Sequence, residues 1–177
     1  MIDVRLAHTS SLDVETLTQL RRFLDEAFDG RFGDDDWDHA LGGMHAVVTD
    51  ADGIVAHASV VQRRLLHGGR ALRTGYVEAV AVRANRRRQG YGRAAVHSVA
   101  EVIRGAYELG GLSAGEDAAR LYRSLGWRRW EGRTWVLGPK GIERTADEDE
   151  TTYVLPLAAD LDFTGDLACD WRNGDVW

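Results

Sequence analysis

The sequence predicts a mixed α/β domain in which a mostly antiparallel central sheet is flanked by helices. Three observations carry this. Apolar, β-branched runs at Met44 to Asp50, Ile54 to Leu66 and Arg70 to Val82 follow one another across short glycine-bearing turns, the pattern of an antiparallel meander. Two segments, Leu12 to Phe28 and Ala94 to Ile103, repeat apolar residues at helical spacing. No internal repeat, linker or low-complexity tract breaks the 177 residues, so 1–177 reads as one domain.

Taken in order, Asp3 to Thr9 reads as a short first strand. Ser11 or Asp13 can cap the helix that follows, whose apolar face is Leu12, Leu17, Leu20, Phe23, Leu24, Ala27 and Phe28. Gly30 and Gly33 end it. Asp34 to Leu41 predicts a short helix, with acidic residues in the first turn as the helix dipole favours and Trp37 as its anchor. The three meander strands come next, turning at Ala51-Asp52-Gly53 and at His67-Gly68-Gly69. A long helix is expected from Arg93 to about Leu109, then a short strand over Gly110 to Ala114. Glu116 to Leu125 predicts a helix stopped by Gly126. Short strands are expected at Trp127 to Trp130 and Thr134 to Leu137. Gly138 to Glu150 reads as a charged loop, Thr151 to Leu157 as a last strand, and Ala158 to Trp177 as an irregular tail.

Composition narrows the function. The net charge is −6, yet Arg83 to Arg93 is strongly basic while Asp34-Asp35-Asp36, Asp147 to Glu150 and the tail are acidic. One basic loop on an acidic chain argues against general nucleic-acid binding. It suits an anionic cofactor held in one place and a cationic substrate in another. No apolar run reaches the length of a membrane span and the N-terminus lacks a signal-peptide pattern, so a cytoplasmic protein with no membrane partner is expected. The single cysteine, Cys169, has no internal disulfide partner and reads as a packed structural residue. No Cys/His spacing suggests a metal.

The most informative stretch is Gly75 to Arg104: a strand, a loop Arg87-Arg88-Gln89-Gly90-Tyr91-Gly92, then a helix. A helix start offers backbone N–H groups with no internal partner and partial positive charge. Gly90 and Gly92 let the backbone approach a diphosphate, and Arg87 and Arg88 add charge. Glycine spacing alone fits an ordinary tight turn equally well. The whole loop, however, resembles the Arg/Gln-x-x-Gly-x-Gly/Ala signature of the GNAT acetyltransferases. A second match is Ala118 to Trp127, similar to their Ala-x-x-Leu-Tyr-x-x-x-Gly-Phe/Trp segment. This resemblance implies the GNAT acyl-CoA N-acyltransferase fold, splayed at an acetyl-CoA site. The pyrophosphate would lie on Arg87, Arg88, Gln89, Gly90, Tyr91 and Gly92, with the pantetheine arm along Val80, Ala81 and Val82.

Glu78 stands among Val77, Val80 and Val82, where a carboxylate could take a proton from a substrate ammonium; the alternative is a solvent-facing strand residue, which those apolar neighbours disfavour and periodicity does not settle. Tyr122 could protonate a departing thiolate, or could simply pack between helix and sheet. The chain closes on Cys169-Asp170-Trp171-Arg172-Asn173-Gly174-Asp175-Val176-Trp177. Such an aromatic end reads as docked rather than frayed.

This closing run, with Asp36-Trp37, Gly42 to Ala46, Gln62 to Leu65, Gly75 to Glu78 and Arg104 to Tyr107, closely resembles the aminoglycoside 2′-N-acetyltransferases over nearly the whole chain. The resemblance implies Glu78 as base, directly or through water, and Tyr122 as acid. It implies substrate contacts from Asp36, Glu78, the Ala79 backbone, Ser113, Asp147, Glu148, Asp175 and the Trp177 carboxylate. A Glu at 148 departs from the expected Asp. By analogy with the many dimeric GNAT proteins it also implies a homodimer. The expected activity is acetyl transfer from acetyl-CoA to the 2′-amine, or a 2′-hydroxyl, of an aminoglycoside. The competing readings are a GNAT enzyme for another cationic amine or cell-envelope amino sugar, and a binding protein without turnover.

Overall fold

The structure is a computed structural model that describes residues 2–157 and 160–177. Met1, and Ala158 and Ala159 at the start of the expected tail, lie outside the described residues. The chain folds as two compact units, Met1–Val61 with Val77–Val102, and Gln62–Tyr76 with Ile103–Trp177. Two long strands, β3 (Gly53–His67) and β4 (Arg70–Val82), contribute residues to both.

In the first unit β1 (Val4–His8) pairs antiparallel with β2 (Met44–Asp50), and β2 with the first part of β3. Helices α1 (Val14–Ala27) and α2 (Asp34–Ala40) intervene. Of the two candidate caps, Asp13 is the one used: its carboxylate accepts from the Thr16 N–H at 2.7 Å. Leu20, Phe23 and Leu24 of α1 pack with Phe32, Val47, Ile54 and Ala81, and Trp37 covers their edge. Full burial of Leu20 or Leu24 contributes about 2 kcal/mol each. The first half of β3 is buried without a break from Ile54 to Val60. Its polar members, His57 and Ser59, therefore need internal partners. Close packing also dictates Gly43, where a Cβ would fall 2.0 Å from the Val60 carbonyl oxygen.

In the second unit the strands run β6 (Arg128–Arg129), β9 (Thr152–Pro156), β5 (Leu109–Ser113), β4, β3, β10 (Leu167–Asp170), β7 (Thr134–Gly138), β8 (Gly141–Arg144). β4 and β5 are parallel over only Thr74–Tyr76 and Leu109–Gly111. β10 is parallel to β7, and the pairs β5–β9, β6–β9, β7–β8 and β3–β10 are antiparallel. α4 spans Glu116–Ser124.

Three expectations are corrected. Helix α3 runs Tyr91–Ala106, starting before Arg93 and ending short of Leu109, because Leu109 opens β5 as a fully buried strand residue. The expected loop Gly138 to Glu150 contains β8 and a 3₁₀ turn at Ala146–Glu148; a strand exposed throughout has no buried face to mark it in sequence. The expected irregular tail contains β10, whose Leu167 and Cys169 alternate inward beside a strand more than 30 positions earlier.

Candidate active site

Strand β4 is not regular where it carries Glu78. Ala79 adopts φ of 49°, a left-handed conformation in a non-glycine residue, which kinks the strand. Ahead of the kink the strand is buried continuously from Thr74 to Val77; at and beside it Glu78, Ala79 and Val80 are all half-buried. The carbonyl of Glu78 accepts from Ser59 Oγ at 3.3 Å, and that of Ala79 from His57 Nδ1 at 2.8 Å. Sequence reasoning missed both supports. Their signal was a pair of polar residues within an otherwise apolar strand. The kink leaves Val80, Ala81 and Val82 as the strand end beside the loop.

That loop is shaped locally. Arg88 has φ of 65° and Gly90 φ of 92°, turning the backbone into the first turn of α3 at Tyr91 and Gly92. Arg87 Nε donates to the Val82 carbonyl at 3.4 Å and Gln89 Nε2 to the Asn85 carbonyl at 3.2 Å. Arg86 is engaged by Asp50 and Asp52 at 2.8 and 2.6 Å. Arg87 and Arg88 remain exposed. A helix start, a glycine that a Cβ would strain, and two solvent-facing guanidinium groups fit a diphosphate.

Asp36 sits on α2 in the same unit, and its carboxylate accepts from the Gly33 N–H at 2.8 Å. It caps its own helix while half-exposed.

The other predicted residues lie in the second unit. Tyr122, on α4, is buried and packs edge-on against Trp127 and beside Tyr153, with ring centroids 6.1 and 6.3 Å away. Burial pushes its phenol well above the ordinary tyrosine value, so it keeps its proton. Ser113 and Glu148 are brought together: Ser113 Oγ donates to Glu148 Oε2 at 2.9 Å, and Thr151 Oγ1 donates to the same oxygen at 2.6 Å. Asp147, next to Glu148 on the 3₁₀ turn, is exposed.

The tail is docked. Trp177 is buried and its indole Nε1–H donates to Thr145 Oγ1 at 2.9 Å. Its backbone N–H donates to Asp175 Oδ1 at 3.2 Å, which ties those two residues together. Arg172 donates to the Asp175 carbonyl at 2.7 Å and to a terminal oxygen of Trp177 at 2.8 Å. The organising residue is Arg63, which sequence reasoning noted only as part of a resemblance. It is buried over the Tyr76 ring, donates to Asp170 through side chain and carbonyl, and holds the Val176 carbonyl at 2.7 Å. Cys169 Sγ donates to that same carbonyl, and burial raises its thiol to about 11, so it is a packing residue. Among the described residues no group of three or more His, Cys, Asp or Glu side chains could hold a metal ion.

The acetyltransferase (GNAT) family model matches residues 13–127. An aminoglycoside 2′-N-acetyltransferase of Mycolicibacterium fortuitum is 53% identical over 98% of this chain and 91% of its own length. The fold is that of the Escherichia coli GNAT protein YhbS in complex with CoA (TM-score 0.65, 18% identity, 94% of this chain and 88% of that one). It is likewise that of a Brucella melitensis GNAT acetyltransferase in complex with acetyl-CoA (TM-score 0.63, 14% identity, 98% of each chain). The matched family model, the full-length relative and the shared fold together place this chain in the acetyltransferase (GNAT) family.

Proposed function

We propose that this enzyme transfers an acetyl group from acetyl-CoA to the 2′-amine of aminoglycosides. The observation that carries the reading is the 53% identity, across 98% of the chain, to a relative bearing that activity in its name. Residues 1–177 are read as one acetyltransferase domain, since β3 and β4 run through both units and the family model takes in residues of each.

Acetyl-CoA supplies an activated acetyl thioester. The N–H groups at Gly90, Tyr91 and Gly92, with Arg87, Arg88 and Gln89, take its diphosphate. Val80, Ala81 and Val82 offer backbone groups to its extended arm. An ammonium cannot attack a carbonyl, so Glu78 takes a proton from the substrate, directly or through a water. Tyr122, kept neutral by burial, gives its proton to the departing sulfur. Asp36, the Ala79 backbone, Ser113, Asp147, Glu148, Asp175 and the Trp177 carboxylate bind the polycation. Ser113 and Thr151 orient Glu148, and Arg172 orients the terminal carboxylate, so these acids are set before substrate arrives. Among the described residues no helix is long and apolar enough to cross a membrane. Cytoplasmic action as a homodimer, without nucleic-acid or membrane partners, completes the reading.

The test is release of free thiol from acetyl-CoA in the presence of aminoglycosides that carry or lack a 2′-amine. Turnover confined to the 2′-amino compounds supports the proposal; equal turnover of both groups, or none, overturns it.

A further inference from the structure

Three side chains of the first unit run in line toward the kinked backbone of β4, and the chemistry above uses none of them. Thr9 Oγ1 lies 2.8 Å from His45 Nε2, His45 Nδ1 lies 3.0 Å from His57 Nε2, and His57 Nδ1 lies 2.8 Å from the Ala79 carbonyl oxygen. The two histidines sit on neighbouring strands as a diagonal pair, since His45 faces Ser59 and Val47 faces His57. Both imidazoles are fully buried, and burial pushes them far below their ordinary value, His45 to about 4 and His57 to about 3. Each is therefore neutral and has one N–H.

The far end of the line sets the direction of every hydrogen. A carbonyl only accepts, so His57 carries its hydrogen on Nδ1 and accepts at Nε2. His45 must then donate from Nδ1 and accept at Nε2, which leaves the Thr9 hydroxyl as its donor. Thr9 is equipped for this. Gly42 N–H donates to Oγ1 at 2.9 Å. The Gly43 carbonyl also lies within reach of the hydroxyl, at 3.2 Å, but it already takes the Thr9 backbone N–H at 2.9 Å, and His45 Nε2 at 2.8 Å is the nearer acceptor. All donors point one way, toward Ala79.

The receiving residue needs holding. A left-handed Ala costs roughly 1–2 kcal/mol and persists only where its surroundings impose it. An apolar residue at position 57 would fill the space without holding that carbonyl. Two buried imidazoles are costly unless fully hydrogen-bonded, and here each ring nitrogen has a partner.

We propose that His57, backed by His45 and Thr9, is a positioning residue for acetyl transfer: it locks the kink at Ala79 and thereby aims the adjacent Glu78 carboxylate and the peptide groups of Val80 to Val82. The inference rests on Glu78 acting as the proton acceptor in the reaction proposed above.

The experiment compares the full-length wild type, His57→Leu and His57→Asn in steady-state thiol release, with melting temperatures alongside. The Asn amide reproduces the Nδ1–H donor and Leu does not, whereas both leave His45 Nδ1 without its acceptor. Both variants should melt lower. His57→Leu should lose about 10- to 100-fold in kcat with KM for the aminoglycoside within about threefold of wild type, while His57→Asn keeps kcat within about threefold. Equal losses in the two variants, or no loss in His57→Leu, would overturn the proposal. Should His57→Leu fail to fold, ¹⁵N NMR of the wild-type imidazoles decides: Nδ1–H tautomers at both histidines support it, and an Nε2–H tautomer at either overturns it. A wild type that acetylates no 2′-amino aminoglycoside sinks the substrate reading instead, and the tautomers then test the clamp alone.

Discussion

The arginine–glycine loop and the C-terminal tail are both short, charged and glycine-bearing, yet different physics holds them. The loop is shaped mainly from within. Its hydrogen bonds from Arg87 and Gln89 reach residues four or five positions away, and its turn comes from the left-handed Arg88 and Gly90. The tail is shaped from a distance. Arg63 grips Val176 across 113 positions, and Trp177 leans on Thr145 across 32. An anion can be gripped by backbone N–H groups that any helix start provides. A polycation needs several carboxylates held in a fixed pattern, and exposed pairs are too weak to arrange themselves. The docking of the tail therefore depends on a buried arginine scaffold.

If that contrast is right, substitutions should separate the two halves of the reaction. The largest loss is expected from Glu78→Gln, about 100-fold or more in kcat/KM, with acetyl-CoA affinity by calorimetry retained. Tyr122→Phe should lower kcat about 10- to 100-fold, again sparing acetyl-CoA binding. Because burial raises the Tyr122 phenol, the wild type should show no loss of its proton-donating form as pH passes the ordinary tyrosine value of 10.0. An unchanged turnover number in Tyr122→Phe, with chemistry rate-limiting, would remove the phenol from the mechanism.

Arg63→Met strikes the tail scaffold. KM for the aminoglycoside should rise about tenfold, with KM for acetyl-CoA unchanged and stability lowered by about 2 kcal/mol. Parallel rises in both KM values would erase the contrast. A smaller effect belongs to Asp149, which accepts from Arg144 and from the Thr134 N–H and hydroxyl and is held down at about 2. A depressed carboxyl stabilises the fold above its unfolded value and stops doing so as pH falls through its folded value. The wild-type melting temperature should thus drop between pH 3.8 and about 2 more steeply than that of Asp149→Asn. The smallest effect is expected from Arg88→Gln: a rise of about threefold in KM for acetyl-CoA, shrinking as salt is added.

Much of the fold could be read before any coordinates. The meander, α1 with its Asp13 cap and α4 ending before Gly126 all rest on short-range patterns, and each stands within a residue or two of its expected place. β8 and β10 were illegible because each is recruited by a partner strand: β8 is exposed throughout, and the inward alternation of β10 rests on Leu167 and Cys169 alone, too short to mark a strand. The site divides the same way. The loop motif announces itself in six consecutive residues. Nothing in the order of residues says that His57 would meet Ala79, that Ser113 would orient Glu148, or that Arg63 would anchor the chain end.

What the sequence determined by itself was the strand–loop–helix that suits an anion, the order of elements, and the residue types able to move protons. What only the tertiary structure decided was the kink at Ala79 and the anchorage of the tail's carboxylates. The reason is physical. Helix starts and glycine turns are set by neighbouring dihedral angles. The orientation of a buried carbonyl or a docked carboxylate is set by whichever distant donor the packed interior brings within 3 Å.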